Sequence, residues 1–273
     1  MKIIAEIGWN HMGNMDLAKN MMVSAKESGA DIVKFQYWDP INLKSGPWDD
    51  DGRREIYNNA ALSETMLNEL VEFSKSIKCE FLISVFGTMG AKKITKIGQK
   101  KIKIPSHETT NIKLIKFCSE NFEEIIFSAG ASTEKEIENA VQILRKGKAK
   151  FSLLHCISSY PCPSEKINLK RINWLSKFTS EVGLSDHSQS TTIPAMSLAF
   201  GTSIIEKHFT TDKNLPGRDN KFALTPILFR EMVNNINEAK NALIDHGNSF
   251  LDIEEDTMKN YRGRWEPDDY FNS

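Results

Sequence analysis

Two histidines and two lysines stand at or near the ends of short apolar segments in this 273-residue chain. His187 follows the segment EVGLSD, and His208 lies near the end of TSIIEKHF. Lys34 and Lys103 lie within the segments IVKFQ and KIKI. Paired imidazoles suit a divalent cation held by nitrogen and oxygen ligands, such as Mn²⁺ or Mg²⁺, and paired ammonium groups suit an oxyanion. These residue types therefore predict a site for a small, multiply charged acid beside a metal ion.

Hydroxyl and carboxyl groups accompany these cations at the ends of similar segments. Neutral hydroxyl donors complete an oxyanion pocket, and a carboxyl group in such a site is a candidate for proton transfer. A single ionisable group in an apolar strand is often only a paired core residue. Ionisable or polar groups at seven segment ends are costly to bury unless they pair with one another or bind a ligand. The hydroxyl donors are Ser106, Ser128 and Ser185, and the carboxyl candidates are Glu6 and Glu108.

Eight short β-like segments, rich in Ile, Val and Phe, alternate with amphipathic helical segments and must position these residues. The units average about 30 residues over residues 1–245, the size expected of one unit in a (β/α)8 TIM barrel. In that α/β fold all eight strand ends converge on one face. The alternative is an open doubly wound sheet, but EIGWNHMGN after the first segment has no Gly-rich phosphate loop. The β-like segments begin at Ile3, Asp31, Glu80, Lys101, Glu124, Phe151, Glu181 and Thr202.

Caps and breaks in the pattern predict the other elements. Ser63 reads as a helix N-cap, and Ser132 or Thr133 caps a helix that ends before Gly147. The polar segment 39–62 is too long for an ordinary connection and is expected on the catalytic rim. Residues 246–273 are expected to form a tail that packs on the barrel or on a partner subunit, with Tyr261, Trp265, Tyr270 and Phe271 as its aromatic residues. Further helices are expected at 168–177, 191–200 and 226–244.

Composition excludes several classes of protein. The chain carries 35 Lys and Arg against 36 Asp and Glu, which argues against a nucleic-acid binder. No stretch reaches the roughly 18–20 apolar residues of a membrane helix, and Glu6 interrupts the first apolar run too early for a signal peptide. The four cysteines form no C-x-x-C pair, so reduced thiols are expected. A cytoplasmic protein without a membrane partner is predicted.

Eight motifs carry a resemblance to a known enzyme family. In chain order they are AEIGWNHMGNMDLAKNM, ESGADIVKFQ, KIPSHE, FSAGAS, LLHCISSYPCP, VGLSDHS, IIEKHFTTD and LPGRDNKFAL. With them the chain resembles the sialic acid synthase (N-acetylneuraminate synthase) family, which makes nonulosonic acids from phosphoenolpyruvate and an N-acylated hexosamine. The combination G-x-SDH followed by E-K-HF is the most specific part. The resemblance implies a metal-dependent barrel transferase of carbohydrate biosynthesis that forms a carbon–carbon bond and releases phosphate.

The resemblance also implies a role for each matching residue. His187 and His208 would hold Mn²⁺ or a similar ion, and Glu6 and Glu108 would serve proton transfer and the attacking water. The remaining positions would bind the two substrates. Those for phosphoenolpyruvate are Lys34, Lys103, Ser106, Ser128 and Ser185, those for the sugar are Gln36, Tyr160 and Asp219, and Ser84 and Ser158 complete the substrate-binding set.

Several positions depart from the family pattern. Ser158 stands where Asn is common, Val85 where a hydroxyl residue is usual, and Arg218 where Pro is common. These changes are expected on or near the acceptor side, so a sugar without the usual N-acyl group is an option. The 273 residues are expected to hold no antifreeze-like domain, whose arginine meets the N-acyl sugar in the family, and Arg262 or Arg264 are candidates to replace it. Because that domain builds part of the dimer in the family, a homodimer of this chain stays possible but is not implied.

Two other functions are compatible with these residues. A metal-dependent aldolase acting on pyruvate would need the divalent ion but no phosphate pocket. A non-catalytic sugar-phosphate binding protein would need the pocket but no proton-transfer groups. Turnover with pyruvate would identify the first, and binding of phosphoenolpyruvate without turnover would identify the second.

Overall fold

Eight parallel strands close into a barrel in the computed structural model, which describes residues 1–265. Each strand pairs with the next in the chain, and β8 returns to pair with β1. All eight predicted strands are present, and the prediction of a TIM barrel is confirmed. The strands are β1 Lys2–Gly8, β2 Ile32–Tyr37, β3 Glu80–Val85, β4 Lys101–Ile104, β5 Glu124–Ser128, β6 Lys150–Cys156, β7 Val182–Asp186 and β8 Ile204–His208.

Helices cover the outside of the barrel, and the two with predicted caps begin at those caps. The Ser63 side chain accepts a hydrogen bond from the Met66 backbone N–H, and Thr133 forms a reciprocal capping box with Glu136. Their apolar faces pack on the outward side chains of the strands in one large core. The helices are α1 Met15–Glu27, α2 Arg53–Asn59, α3 Glu64–Ser76, α4 Gly87–Lys96, α5 Ile112–Asn121, α6 Glu134–Lys146, α7 Arg171–Leu175, α8 Ile193–Met196 and α9 Pro226–Ala242.

Two predicted helices are shorter than the sequence pattern indicates. The helix expected at 168–177 is reduced to α7, because Asn168 has a φ of 52° and lies in the left-handed region, which a right-handed helix excludes. The helix expected at 191–200 becomes α8 followed by a 3-10 turn over Ser197–Phe200. It begins late because the Ser190 hydroxyl accepts hydrogen bonds from the backbone N–H groups of Thr192 and Ile193.

The barrel interior is built in two levels, because alternate residues of a strand point to the same face. An apolar floor comes first, made of Ile4, Ile32, Leu82, Ile126, Leu154 and Ile204. Two residues further along each of these strands, the inward positions are polar or ionisable. Together with the inward residues of β4 and β7 they form the polar layer, which consists of Glu6, Lys34, Ser84, Lys103, Ser128, Cys156, Ser185 and Glu206.

Residues 246–262, after α9, are exposed, which agrees with their charged composition. Packing of the tail on the barrel or on a partner subunit stays a prediction, as does the cytoplasmic location. Tyr270 and Phe271 lie outside the described residues. Within residues 1–265 no helix is both long enough and apolar enough to cross a bilayer.

Candidate active site

Two lysines and two glutamates form a charge-balanced cluster in the polar layer. The Nζ atom of Lys34 lies 2.7 Å from Oε2 of Glu6 and 3.6 Å from Oε2 of Glu206. The Nζ atom of Lys103 lies 3.1 Å from Oε1 of Glu206. None of the four residues is more than 5% exposed. Charges buried this deeply are stable only as partners of one another or of a bound ligand.

The electrostatics of the cluster keep most of it ionised. Burial opposes the charge on Lys34, but Glu206 and Glu6 outweigh it and raise the pKa of this lysine. Burial also disfavours the Glu206 carboxylate, but Lys103 and Lys34 lower its pKa to about 2. Burial lowers the pKa of Lys103, whose one carboxylate partner within residues 1–265 is Glu206. Lys103 is thus the lysine whose charged form an added anion would stabilise most.

Hydroxyl and amide groups complete the polar layer. The Lys34 ammonium donates to Ser84 Oγ at 2.8 Å, and Ser185 Oγ donates to Glu206 Oε1 at 2.9 Å. Gln36 donates to Glu6 Oε1 at 2.5 Å. The hydroxyl of Ser128 is buried without a hydrogen-bond partner in the described chain, so it is available to a ligand. Ser106 and Ser158 lie beside the layer, with their hydroxyl oxygens 3.2 Å apart.

The two predicted imidazoles meet next to this layer. The ring centroids of His187 and His208 are 5.4 Å apart, and Tyr160 packs 4.2 Å from the His187 centroid. Nδ1 of His187 donates to the carbonyl oxygen of Ile157 at 2.8 Å, which leaves Nε2 for a ligand. Burial, with His187 nearby, lowers the pKa of His208, so this imidazole is neutral and able to ligate a metal.

Asp219 lies beside His208, with 3.6 Å between Oδ2 of Asp219 and Nδ1 of His208. Burial raises the pKa of Asp219 to about 7. Both residues line a cavity of about 410 Å³ that opens at the C-terminal ends of the strands, which is large enough for one sugar. The other lining residues are Trp9, Gln36, Arg53, Tyr57, Phe86, His107, Tyr160 and Arg218.

Neither of the two carboxyl groups predicted for proton transfer lines this cavity: Glu6 lies in the polar layer, and Glu108 lies elsewhere. Residues Ser106–Glu108 form a 3-10 turn, in which successive side chains point about 120° apart. The Glu108 carboxylate therefore turns to Asn111, whose amide donates to it at 2.5 Å, and lines a neighbouring cavity of about 560 Å³. His107 lines the central cavity instead. Burial, with His187 and Lys103 nearby, lowers the pKa of His107.

Three polar residues at strand ends face the helices rather than the cavity. His155 Nε2 lies 2.6 Å from the carbonyl oxygen of Ile167. The Lys207 ammonium lies 2.5 Å from Oδ2 of Asp186 and donates to the carbonyl oxygens of Ser188 and Ser190, at 2.7 and 3.0 Å. This buried ion pair ties down the loop that carries His187.

Removing Lys207 tests that structural role. Lys207→Met leaves the Asp186 carboxylate buried without its partner, and we expect the free energy of unfolding to fall by about 3–5 kcal/mol. Denaturant unfolding measures the change. Lys240→Met, on the exposed face of α9, is the control and is expected to change stability by less than about 0.5 kcal/mol. A loss below about 1 kcal/mol for Lys207→Met would contradict the assigned role.

The sequence reasoning passed over several residues of the site. Glu206 and Cys156 occupy inward positions two residues after floor residues, so strict alternation along the strands would have identified them. Arg53 lies in the long connection after β2, and no local signal marks it as part of the site. Arg262 and Arg264 do not line the cavity, since both lie in the tail, where the Arg264 guanidinium is 4.6 Å from the Tyr261 ring centroid. Val85 belongs to the outer core, so this departure from the family pattern lies away from the site.

Comparison with known proteins agrees with the fold and with the motifs. The model of the NeuB family matches residues 21–248. The chain is 38% identical over 239 residues to the uncharacterized protein MJ1065 of Methanocaldococcus jannaschii. This match covers 86% of this chain and 69% of that protein. It is 35% identical over 258 residues to the N,N'-diacetyllegionaminic acid synthase of Campylobacter jejuni. This match covers 89% of this chain and 77% of the relative.

Among solved structures, the sialic acid synthetase of Leptospira borgpetersenii in complex with citrate superposes with a TM-score of 0.86 at 30% sequence identity. The match covers 97% of this chain and 92% of that one. The similarity thus spans the whole barrel, including all eight strands that carry the polar layer. This chain belongs to the NeuB family.

Proposed function

We propose that the chain condenses phosphoenolpyruvate with an open-chain aldose, giving a 2-keto-3-deoxy sugar acid and inorganic phosphate. It is a carbon–carbon bond-forming transferase whose relatives are named as synthases of diacetyllegionaminic and sialic acids. One observation carries the proposal: a buried layer with two lysines and three serines lies next to two imidazoles inside one closed barrel. This arrangement fits a small anionic substrate in contact with a second, neutral one.

The polar layer supplies the pocket for phosphoenolpyruvate. Lys34 and Lys103 would bind its phosphate and carboxylate, and their present contacts with Glu6 and Glu206 would be exchanged in part for those of the substrate. Hydroxyl groups then satisfy the remaining oxygens without adding charge, which matters in a site with so little solvent. The hydroxyl donors proposed for this role are Ser84, Ser106, Ser128 and Ser185.

The residues present also fit a divalent cation. His187 and His208 offer two imidazoles at a centroid separation of 5.4 Å, and Nδ1 of His208 is buried without a hydrogen-bond partner among the described residues. Residues 1–265 contain no group of three or more His, Cys, Asp or Glu side chains arranged to hold a metal, so substrate and water oxygens would complete the coordination. A mixed nitrogen and oxygen set of this kind suits Mn²⁺ or Mg²⁺. When bound, the ion would polarise the aldehyde oxygen of the sugar.

The chain's own residues then carry the reaction. C3 of phosphoenolpyruvate attacks the aldehyde carbon, and positive charge develops at C2, where the Glu6 carboxylate stabilises it and directs the incoming water. Glu6 is suited to this role because Gln36 and Lys34 hold both of its oxygens in place. Water adds to C2, and its oxygen becomes the keto oxygen as the C2–O bond to phosphate breaks. One proton of this water goes to the former aldehyde oxygen, which becomes a hydroxyl group, and the other goes to the leaving phosphate, whose charge Lys34 and Lys103 stabilise. Tyr160, Asp219, Ser158 and Gln36 would orient the sugar.

The two alternatives fit the site less well. An aldolase acting on pyruvate has no use for two buried lysines beside four hydroxyl groups. A non-catalytic binding protein has no need of Glu6, whose two oxygens are held at 2.5 and 2.7 Å by Gln36 and Lys34. Both alternatives are outcomes of the experiment below.

A phosphate-release assay tests the proposed function. With phosphoenolpyruvate, Mn²⁺ and a panel of aldoses, we expect release of phosphate that depends on the aldose and stops when EDTA removes the metal. Added Mn²⁺ or Mg²⁺ is expected to restore it. Condensation with pyruvate in place of phosphoenolpyruvate would identify an aldolase instead. Binding of phosphoenolpyruvate with no release for any aldose would favour the binding protein.

A further inference from the structure

We propose that Arg53 and Arg218 bind an anionic group at the far end of the aldose, so that the acceptor is a sugar carrying a phosphate monoester or a carboxylate. The proposal rests on the proposed function, because it assigns the class of the second substrate of that reaction. It concerns the part of the central cavity next to an adjoining surface cavity that neither the lysines of the polar layer nor the two imidazoles line.

The two arginines come from different loops and meet at one place. Arg53 is the first residue of α2, in the connection after β2, and Arg218 lies after β8, next to Asp219. Both line the central cavity together with His208, and both line an adjoining surface cavity of about 400 Å³ together with Lys221. The strands that precede these loops, β2 and β8, both flank β1, which explains why the loops converge.

The charge around the adjoining cavity is positive and only partly compensated. Asp51 holds the Arg53 guanidinium, with Nε 2.9 and 2.7 Å from its two carboxylate oxygens. Over residues 1–265, Arg218 and Lys221 form no salt bridge. Three cations therefore share one carboxylate around the adjoining cavity. Arg218 has no salt-bridge partner within residues 1–265, and Asp51 holds the neighbouring Arg53 guanidinium in one orientation. Such a pair is suited to a bidentate contact with an oxyanion.

The position of Arg53 and Arg218 indicates that the anionic group lies at the end of the sugar opposite the aldehyde. His208 and the two arginines line the same cavity of about 410 Å³, and His208 marks the end where the aldehyde reacts. A single extended aldose can therefore occupy the imidazole end with its aldehyde and the arginine end with its last carbon. Neither Lys34 nor Lys103 lines this cavity, so a charge placed there would meet the arginines and leave the two lysines to phosphoenolpyruvate.

Equilibrium binding tests the proposal without requiring turnover. Titration calorimetry would use the full chain with EDTA and saturating phosphoenolpyruvate, so that the inner pocket is filled and no reaction follows. The probes are matched sets of glucose, mannose and galactose, each with its 6-phosphate and its uronic acid. We expect at least one charged sugar to bind about tenfold or more tightly than its neutral form, the effect of one charge-assisted contact.

Three variants decide whether the arginines are responsible. Arg218→Gln and Arg53→Gln are each expected to reduce the preference for the charged sugar by about tenfold. Arg54→Gln is the matched control, since Arg54 lies in the same helix, pairs with Asp49 and lines neither cavity, and it is expected to keep the preference. A stronger preference for the phosphate or for the uronic acid identifies which anion the site takes.

The proposal is overturned if no charged sugar is preferred, or if the preference survives in both arginine variants. Failure of the proposed function is a separate result, because it would appear as an absence of phosphate release with every aldose while this binding preference is still measurable.

Discussion

Replacing His208 with alanine is expected to remove the metal and, with it, nearly all synthase activity. His208 and His187 are the only two imidazoles of the described chain whose rings meet beside the polar layer, and loss of one leaves a single protein nitrogen for the ion. Removing even an outer-sphere partner of a metal commonly costs about 10- to 100-fold in affinity, so loss of a ligand should cost at least about 100-fold. His187→Ala is expected to behave in the same way.

Metal content distinguishes this effect from a general loss of structure. After dialysis against Mn²⁺, bound manganese is measured by elemental analysis, and Mn²⁺ affinity by electron paramagnetic resonance. His107→Ala is the matched control, because His107 lines the same cavity but belongs to a different strand end. It is expected to keep the metal. Retention of manganese by His208→Ala at the wild-type level would show that the pair is not the metal site.

Lys103→Met is expected to weaken binding of phosphoenolpyruvate by about 100-fold or more. The lysine is 2% exposed, so its contact with an anion is fully desolvated, and truncating one partner of such a pair costs about 2–5 kcal/mol. The substitution also leaves Glu206 with Lys34 as its one ammonium partner in the described part of the chain, so the pocket becomes net negative before the substrate arrives. Calorimetry with phosphoenolpyruvate in the absence of an aldose measures the effect directly.

The control for this variant lies on the same strand. Lys101 is two residues earlier, and its ammonium pairs with Glu80 and Glu124 at the opposite end of the barrel. Lys101→Met is expected to lower stability slightly and to leave the affinity for phosphoenolpyruvate unchanged. An unchanged dissociation constant for Lys103→Met, in a protein that unfolds at the normal denaturant concentration, would refute the assigned pocket.

The barrel could be predicted from the sequence because its signals are local. Each strand is a short run rich in β-branched residues, and the helix starts at Ser63 and Thr133 carry their own hydrogen-bonding caps. A local pattern also predicts the interior residues, since Glu6 and Lys34 lie two residues after Ile4 and Ile32 of the apolar floor. Alternation along a strand thus separates inward residues from outward ones such as Lys207.

The remainder of the site depends on geometry that no short segment encodes. His107 rather than Glu108 lines the central cavity because a 3-10 turn, rather than an extended strand end, follows Pro105. Arg53 reaches the cavity because a helix forms within the long connection after β2, and Arg218 because the loop after β8 folds over β1. These placements result from the closure of the barrel, which a local sequence pattern does not contain.

The apolar floor has a kinetic consequence. Six packed aliphatic side chains close the barrel below the polar layer, so we expect substrates to reach that layer from the C-terminal ends of the strands. An aldose bound in the cavity next to His208 would lie between this layer and solvent. We therefore expect an ordered mechanism in which phosphoenolpyruvate binds before the aldose.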